Sequence, residues 1–233
     1  MVLGECGRIP LQITYMTKAV KYWCKLISSF DNHNNSLQSQ CYNMMLSHDE
    51  VGRVNWVTYI KNILFKFGFG FVWVSQDVGH ADIFITIFKQ RLSDTLQQKW
   101  IADLNDSSKS HYYRQFKSLL NVEMYLSRDL PLYMRTAMSR FRCGNFGLKV
   151  ETGRYDNIDY NLRLCPFCLN DGLSFVEDEY HVLLVCKQYE HLRNIYLTKH
   201  IRFTSLHTFI SLLSSDNCGV VYEIGRASCR ERV

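Results

Sequence analysis

Apolar residues recur at intervals of three and four along most of the chain, with polar residues between them. This spacing places the apolar side chains on one face of an α-helix, where they can face a core. Five long segments show it: 13–27, 56–67, 83–100, 112–120 and 134–141. Polar turns are predicted at 31–36 and 105–110, because Asn, Asp and Ser cluster there.

Residues 154–178 lack this periodicity and have the composition of turns. A short strand is predicted just before them, at 147–151, and the helical pattern returns at 179–201 and at 205–213. The predicted fold is therefore mainly α, a helical domain with a small irregular insert. A chain of 233 residues with 47% hydrophobic and 21% charged residues is long and apolar enough to bury a core.

Nine cysteines in 233 residues are fewer than a disulfide-based scaffold requires. Residues 1–10 lack the apolar segment of a signal peptide, so reduced thiols and an intracellular location, in the cytoplasm or nucleus, are expected. The most apolar run, 67–74, is too short to span a bilayer. No membrane association is predicted.

Four potential metal ligands follow the pattern Cys-x2-Cys-x12-His-x4-Cys. They are Cys165, Cys168, His181 and Cys186. Zinc prefers four nitrogen or sulfur ligands at tetrahedral angles, and a Cys-x2-Cys turn lets two thiolates face one point. Because protein ligands fill all four places, the pattern predicts one structural Zn²⁺ ion. His191 is an alternative ligand, and the competing interpretation is a set of buried free thiols beside a core histidine.

Basic residues are concentrated before this pattern, where residues 135–163 include six basic and three acidic side chains. The six are Arg135, Arg140, Arg142, Lys149, Arg154 and Arg163. Helical spacing predicts that Arg135 and Arg142 lie opposite the apolar stripe 134–141. Such a face can follow a phosphate backbone, with Tyr155 or Tyr160 available for stacking on bases. The competing interpretation is a solvated helix face.

Two features weaken this basic character. Residues 224–233 resemble a translated sequencing-adapter read-through, and removing them lowers the basic count from 27 to 24 and the acidic count from 22 to 21, so the net charge falls from +5 to +3. Four acidic residues also lie between the two ligand pairs: Asp171, Glu177, Asp178 and Glu179. That side is expected to repel a phosphate backbone or to contact another protein.

The sequence around the ligands resembles the C-terminal zinc-binding region of reverse transcriptases from non-LTR retrotransposons. The resemblance is carried by Leu164-Cys165-Pro166-Phe167-Cys168, by the run 176–186 that ends in Cys186, and by the flanking stretches 141–143, 148–154 and 189–193. More weakly, 4–11 and 88–92 resemble internal segments of the same polyproteins. The resemblance implies a helical region downstream of a polymerase core at 1–128 and the zinc-binding region at 129–214. The adapter-like residues 224–233 are expected to be an artefactual tail.

The resemblance also implies an RNA-directed DNA polymerase as the parent protein, in which this region helps to hold template RNA or target DNA. The polymerases of that family need paired aspartates for their catalytic metal ions, and this chain contains no Asp-Asp pair. We therefore expect a non-catalytic C-terminal fragment that binds RNA or DNA and packs against the missing upstream polymerase region. The alternatives are a zinc-stabilised protein-interaction module and a non-functional pseudogene product.

Overall fold

The computed structural model describes residues 1–30, 36–198, 204–215 and 219–220, except for the side chains of residues 29 and 30. Within these ranges the chain is helical, and its β-pairing is confined to two isolated bridges, Cys6–Val122 and Leu164–Val176. The predicted mainly α fold is confirmed. The tail at 224–233 and the polar turn at 31–36, apart from Ser36, lie outside the described residues.

The described α-helices, in chain order, are α1 Val2–Cys6, α2 Leu11–Phe30, α3 Leu37–Glu50, α4 Trp56–Lys66, α5 Gly70–Ser75, α6 Ala81–Asp106, α7 Tyr113–Phe116, α8 Met124–Ser127, α9 Leu132–Arg142, α10 Lys149–Tyr155, α11 Pro166–Asn170, α12 Glu190–Tyr196 and α13 Leu206–Ser214. Short 3-10 turns occupy Ser108–Ser110, Tyr160–Leu162 and Lys187–Tyr189, and a π-helical turn spans His181–Val185. None of the described helices has both the length and the apolarity that crossing a membrane requires.

The chain divides into two compact units, one of Ile9–Lys99 and one of Met1–Arg8 with Trp100–Val233. This division differs from the boundary predicted after residue 128. The reason is that α1 and the segment after residue 100 pack with the later helices. Glu5, for example, forms an ion pair with Arg142, and the Tyr113 hydroxyl donates to the carbonyl of Met1 at 3.3 Å.

The unit Ile9–Lys99 has its core where the apolar stripes of α2, α4 and α6 meet, and Trp23, Leu64 and Phe88 are fully buried there. The Trp23 indole Nε1 donates to the hydroxyl of Tyr42 at 2.8 Å, so the polar atom of this large ring is satisfied. The predicted stripes of α2 and α4 face this core. The stripe predicted over 83–100 is wrong at its start, since Ile83 and Ile87 are exposed and Phe84 and Phe88 are buried instead.

In the other unit, α9 buries its predicted stripe, including Met134, Met138 and Phe141, and Phe141 packs edge-on against Phe209 of α13. The strand predicted at 147–151 is wrong, because α10 begins at Lys149. The Glu177 carboxylate accepts a hydrogen bond from the Lys149 backbone N–H at 2.8 Å and so caps this helix. A cap that comes from 28 positions away leaves no local signal in the sequence.

Candidate metal centre

The four predicted ligands converge on one point inside the unit that contains Trp100–Val233. One ligand atom from each of Cys165, Cys168, His181 and Cys186 lies within 4.8 Å of the other three, and all four residues are buried. The Cys186 Sγ is 3.9 Å from the Sγ atoms of both Cys165 and Cys168, and the His181 Nε2 is 3.3 Å from the Cys168 Sγ. The sulfur–sulfur separations match those between two ligands of one tetrahedral metal ion. They are much longer than a disulfide bond of about 2.05 Å, and the described cysteines are all free.

The first ligand pair lies at the start of α11. Cys165 is the residue before the helix, Pro166 occupies its first turn, and Cys168 follows one turn later. A proline at this position is pre-set for helical geometry and needs no hydrogen-bond partner for its nitrogen. The Cys165 N–H donates to the Phe175 carbonyl at 2.8 Å, and the Leu173 N–H donates to the Cys168 carbonyl at 2.8 Å. The chain therefore folds back on itself and holds both sulfur atoms on one side.

The second pair is joined by the π-helical turn His181–Val185. The Cys186 N–H donates to the His181 carbonyl at 2.7 Å, five positions back. A regular α-helix places residues i and i+5 on different faces, whereas a π turn closes every five residues and brings them together. The predicted continuous helix over 179–201 is broken here for that reason, and α12 begins only at Glu190.

Two neighbours hold His181 in place, one at its backbone and one at its ring. The Asp178 Oδ1 accepts a hydrogen bond from the His181 backbone N–H at 2.7 Å, and the Phe175 ring stacks on the His181 ring at 5.4 Å between centroids. Sequence reasoning missed both residues. An acidic residue directly before the first helical residue is an N-capping signal, and Asp178 directly precedes the helical residues that begin at Glu179.

Burial controls the protonation of the ligands. It raises the pKa of the Cys168 thiol to about 12 and also raises the pKa of the Cys186 thiol, although the Gln188 backbone N–H partly opposes the latter shift. Burial lowers the pKa of the His181 imidazole and so favours its neutral, metal-binding form. A divalent cation would stabilise the thiolates against this desolvation, because its charge outweighs the cost of burying theirs.

His191, the alternative ligand, is exposed and is not among the four converging residues. It lies in the first turn of α12, after the chain has passed through the 3-10 turn Lys187–Tyr189. All four ligand positions are therefore filled by residues of the Cys-x2-Cys-x12-His-x4-Cys pattern, and His191 is not one of the ligands.

The predicted basic face is only partly present. Arg140 and Lys149 are exposed, whereas Arg135, Arg154 and Arg163 are half-buried. The Nε of Arg135 is buried without a hydrogen-bond partner among the described residues. Arg163 donates to the carbonyls of Ile158 at 2.8 Å and Val150 at 2.9 Å, so part of its guanidinium is used within the fold.

The expected exposure of Arg142 is wrong, since only 3% of this residue is exposed. Its guanidinium pairs with Glu5 at 3.1 Å and with Glu123 at 2.9 Å, and it lies 4.5 Å from the centre of the Phe116 ring. Two carboxylates and an aromatic face compensate the desolvation of this cation. Arg142 therefore belongs to the interior and is removed from the predicted nucleic-acid contacts.

The expected acidic surface is also wrong for three of its four residues. Asp171 is exposed, but Glu177, Asp178 and Glu179 are 7–8% exposed. Glu177 caps α10, and Asp178 caps the turn that carries His181. Their charges are used inside the unit and do not form a surface that would repel a phosphate backbone.

No family model matches the sequence, and searches of curated proteins and of solved structures find no match.

Proposed function

We propose that the chain is a non-catalytic, zinc-stabilised module that binds RNA or DNA, as the C-terminal part of a protein similar to a non-LTR reverse transcriptase. The observation that carries the proposal is the convergence of Cys165, Cys168, His181 and Cys186 on one buried point. The resemblance of their spacing and flanking residues to that family supports the functional part. The resemblance also favours an upstream polymerase region as a partner. The reduced thiols expected of a metal-binding Cys/His cluster favour a location in the cytoplasm or nucleus.

Zinc is the metal that this donor set favours. Zn–S bonds of about 2.3 Å at tetrahedral angles place two sulfur ligands about 3.8 Å apart. The Cys186 sulfur is 3.9 Å from the sulfur atoms of both Cys165 and Cys168. Three thiolates with one imidazole select a soft or borderline ion over Mg²⁺ or Ca²⁺, which prefer oxygen ligands.

The proposed site is structural. A catalytic zinc ion keeps one coordination place open for water or substrate, but four protein ligands fill this one. The chain also has no Asp-Asp pair for polymerase metal ions. The metal ion would then stabilise the packing of α11, the π-helical turn and the loop between them.

Exposed basic side chains support nucleic-acid binding. Arg140 at the end of α9 and Lys149 at the start of α10 are both exposed, and Arg154 is partly accessible on α10. Their charges are suited to phosphate groups of a nucleic-acid backbone. The protein-interaction alternative relied on an acidic surface, and most of those acidic residues are buried.

The experiment is a filter-binding titration of the zinc-loaded chain with single-stranded RNA and DNA at several salt concentrations. We expect binding at low salt that weakens as salt rises, because bound phosphates release counterions. The double variant Arg140→Gln/Lys149→Gln should reduce the slope of log K against log salt by about 1 to 2.

The matched control is Lys89→Gln/Arg91→Gln, which removes the same charge from exposed positions on α6. We expect this control to keep the wild-type slope. Absence of binding at low salt, or equal losses in the two double variants, would refute nucleic-acid binding by this face.

A further inference from the structure

Two tyrosines and a lysine form a stripe on the exposed face of α2, in the unit Ile9–Lys99. The residues of this tyrosine–lysine stripe are Tyr15, Lys18 and Tyr22, and all three are exposed. Their spacing of i, i+3 and i+7 places them on one side of the helix, with the tyrosines about 10 Å apart along its axis. The two tyrosines are 50% and 48% exposed. The lysine therefore lies between two accessible aromatic rings.

Each tyrosine of the stripe is held by a second aromatic ring, which comes from α4. The Tyr15 ring stacks on the Tyr59 ring at 6.0 Å between centroids, and the Tyr59 hydroxyl donates to that of Tyr15 at 2.5 Å. The Tyr22 ring packs edge-on against Trp56 at 5.7 Å between centroids. Rings held in this way lose little conformational freedom when a planar group packs on their exposed side.

The two helices that carry these rings are basic. Residues 11–30 and 53–66, which contain α2 and α4, include six basic residues and no acidic residue. Acidic residues on adjoining segments offset part of this charge: Asp49, Glu50, Asp77 and Asp82. Counting all four against the six basic residues still leaves two positive charges in excess.

The offsetting carboxylates do not neutralise the stripe itself. Asp49 is already paired with Lys61 at 3.0 Å. Asp77 and Asp82 line two cavities along the C-terminal half of α2, and neither cavity includes a residue of the tyrosine–lysine stripe. Lys18 forms no ion pair with any residue that the structure describes. Its charge is therefore available to an anionic ligand beside the two rings.

We propose that the tyrosine–lysine stripe binds single-stranded nucleic acid, with bases stacked on its two tyrosines and a phosphate paired with Lys18. Unpaired bases offer their faces to aromatic side chains, whereas the bases of a duplex are covered by their neighbours. A cation between two rings matches the phosphate between two bases. The stripe lies in the unit that contains none of the metal ligands, so this second surface goes beyond the proposed function and does not require the metal ion.

The experiment measures binding of the zinc-loaded full chain to a single-stranded oligonucleotide of about twelve residues and to the duplex that it forms with its complement. The variant Tyr15→Leu/Tyr22→Leu keeps apolar side chains against α4 but removes both rings. It should bind the single strand at least about fivefold more weakly, which is the effect of losing one stacked base. Its affinity for the duplex should stay within about twofold of wild type, because paired bases do not stack on these rings.

The conservative variant Tyr15→Phe/Tyr22→Phe should bind the single strand like wild type, since it keeps both rings and loses only the hydroxyls. Phe71→Leu is the matched control, because it removes a 70% exposed ring from α5 in the same unit, and it should also keep the wild-type affinity. Lys18→Gln should reduce the slope of log K against log salt by about 0.7. If the leucine double variant does not fold, Tyr22→Leu alone replaces it, with the same fivefold loss expected.

The outcomes separate this inference from the proposed function. Weaker single-strand binding in the leucine variant, but not in the phenylalanine variant, supports the stripe. Wild-type affinity in the leucine variant, or equal losses for single strand and duplex, would overturn it and leave binding through Arg140 and Lys149 intact. If Arg140→Gln/Lys149→Gln binds like wild type and the leucine variant does not, the stripe is supported and the basic face is refuted. Binding of neither probe would refute both.

Discussion

Asp178 accepts a hydrogen bond from the backbone N–H of His181 at 2.7 Å through one oxygen and binds two tyrosine hydroxyls through the other. One carboxylate therefore holds the turn that carries a metal ligand and two aromatic side chains, Tyr112 and Tyr160. A carboxylate that caps a helical turn in this way commonly contributes about 0.5 to 2 kcal/mol to its stability. Asp178 is thus the residue that connects the metal centre to these two tyrosines.

Replacing Asp178 with alanine should weaken zinc binding by about 2-fold to 30-fold, because the turn that carries His181 loses a cap worth about 0.5 to 2 kcal/mol. Competition with a chromophoric chelator measures the change. Asp171→Ala is the matched control, since Asp171 lies in the same loop but is exposed. Equal zinc affinities in the two variants would show that Asp178 has no orienting role.

Arg142 is expected to be important for stability. Arg142→Ala would leave the buried Glu5 carboxylate without its cationic partner, whereas Glu123 would keep its ion pair with Lys117. The cost of breaking a buried pair is about 3 to 5 kcal/mol. The free energy of unfolding, measured with urea, should fall by that amount. Arg140→Ala, two positions earlier and exposed, should change it by less than about 0.5 kcal/mol. Similar values for both variants would contradict the buried network.

Removal of the metal should affect the two compact units unequally. A structural zinc ion contributes on the order of 10 kcal/mol to the region that it holds. Chelation should therefore increase hydrogen exchange at 164–190, where the loop and the π-helical turn depend on the ligands. The buried part of α4, with Ile60 and Leu64, should keep its protection because its core contains none of the ligands. Uniform loss of protection, or none, would contradict this account.

Asp49 is expected to give the helical unit Ile9–Lys99 a pH-dependent contribution. Hydrogen bonds from Thr58 at 2.6 Å and Lys61 at 3.0 Å lower the pKa of its carboxyl below the ordinary value of 3.8. A carboxyl whose pKa is lower in the folded state stabilises the fold at pH values above its pKa in the unfolded state. This stabilisation is lost as the pH falls through the pKa of the folded state. Asp49→Asn should thus be less stable than wild type at pH 7, and the difference should shrink below pH 3.8.

The control for this pH dependence is Glu50→Gln, which changes the neighbouring exposed carboxylate. Its difference from wild type should be small at every pH, because surface charges contribute little. Thermal unfolding followed by circular dichroism at a series of pH values gives both curves. If Asp49→Asn were less stable than wild type by the same amount at every acidic pH, the Asp49 carboxylate would not be the source of the pH dependence.

Local patterns were enough to predict most of the long helices and the ligand cluster. They failed for α10, where a strand was predicted, and for 112–120, of which only Tyr113–Phe116 is α-helical. The stripe that ends in Phe141 depends on spacing within one helix, and the first ligand pair depends on a short turn that Pro166 favours. Both are determined by neighbours in sequence. The wrong predictions concern residues whose partners are distant in sequence. Arg142 has its main ion pair with Glu5, 137 positions away, so its burial has no local signal.

The structure of the irregular insert around the ligands also depends on contacts between residues distant in sequence, so only part of it could be predicted. The i, i+5 spacing of His181 and Cys186 indicates a distorted helix, but the π-helical turn depends on packing. Consecutive acidic residues normally indicate a solvated loop, yet Glu177 and Asp178 cap backbone groups that only the folded chain brings near them.

Native mass spectrometry of the purified chain counts the metal ions bound at the zinc centre. We expect one zinc ion per wild-type chain, the same in Cys41→Ser, where an exposed thiol is replaced, and none in Cys168→Ser. Wild-type protein that is folded and free of zinc, or Cys168→Ser that retains a full equivalent, would contradict the account.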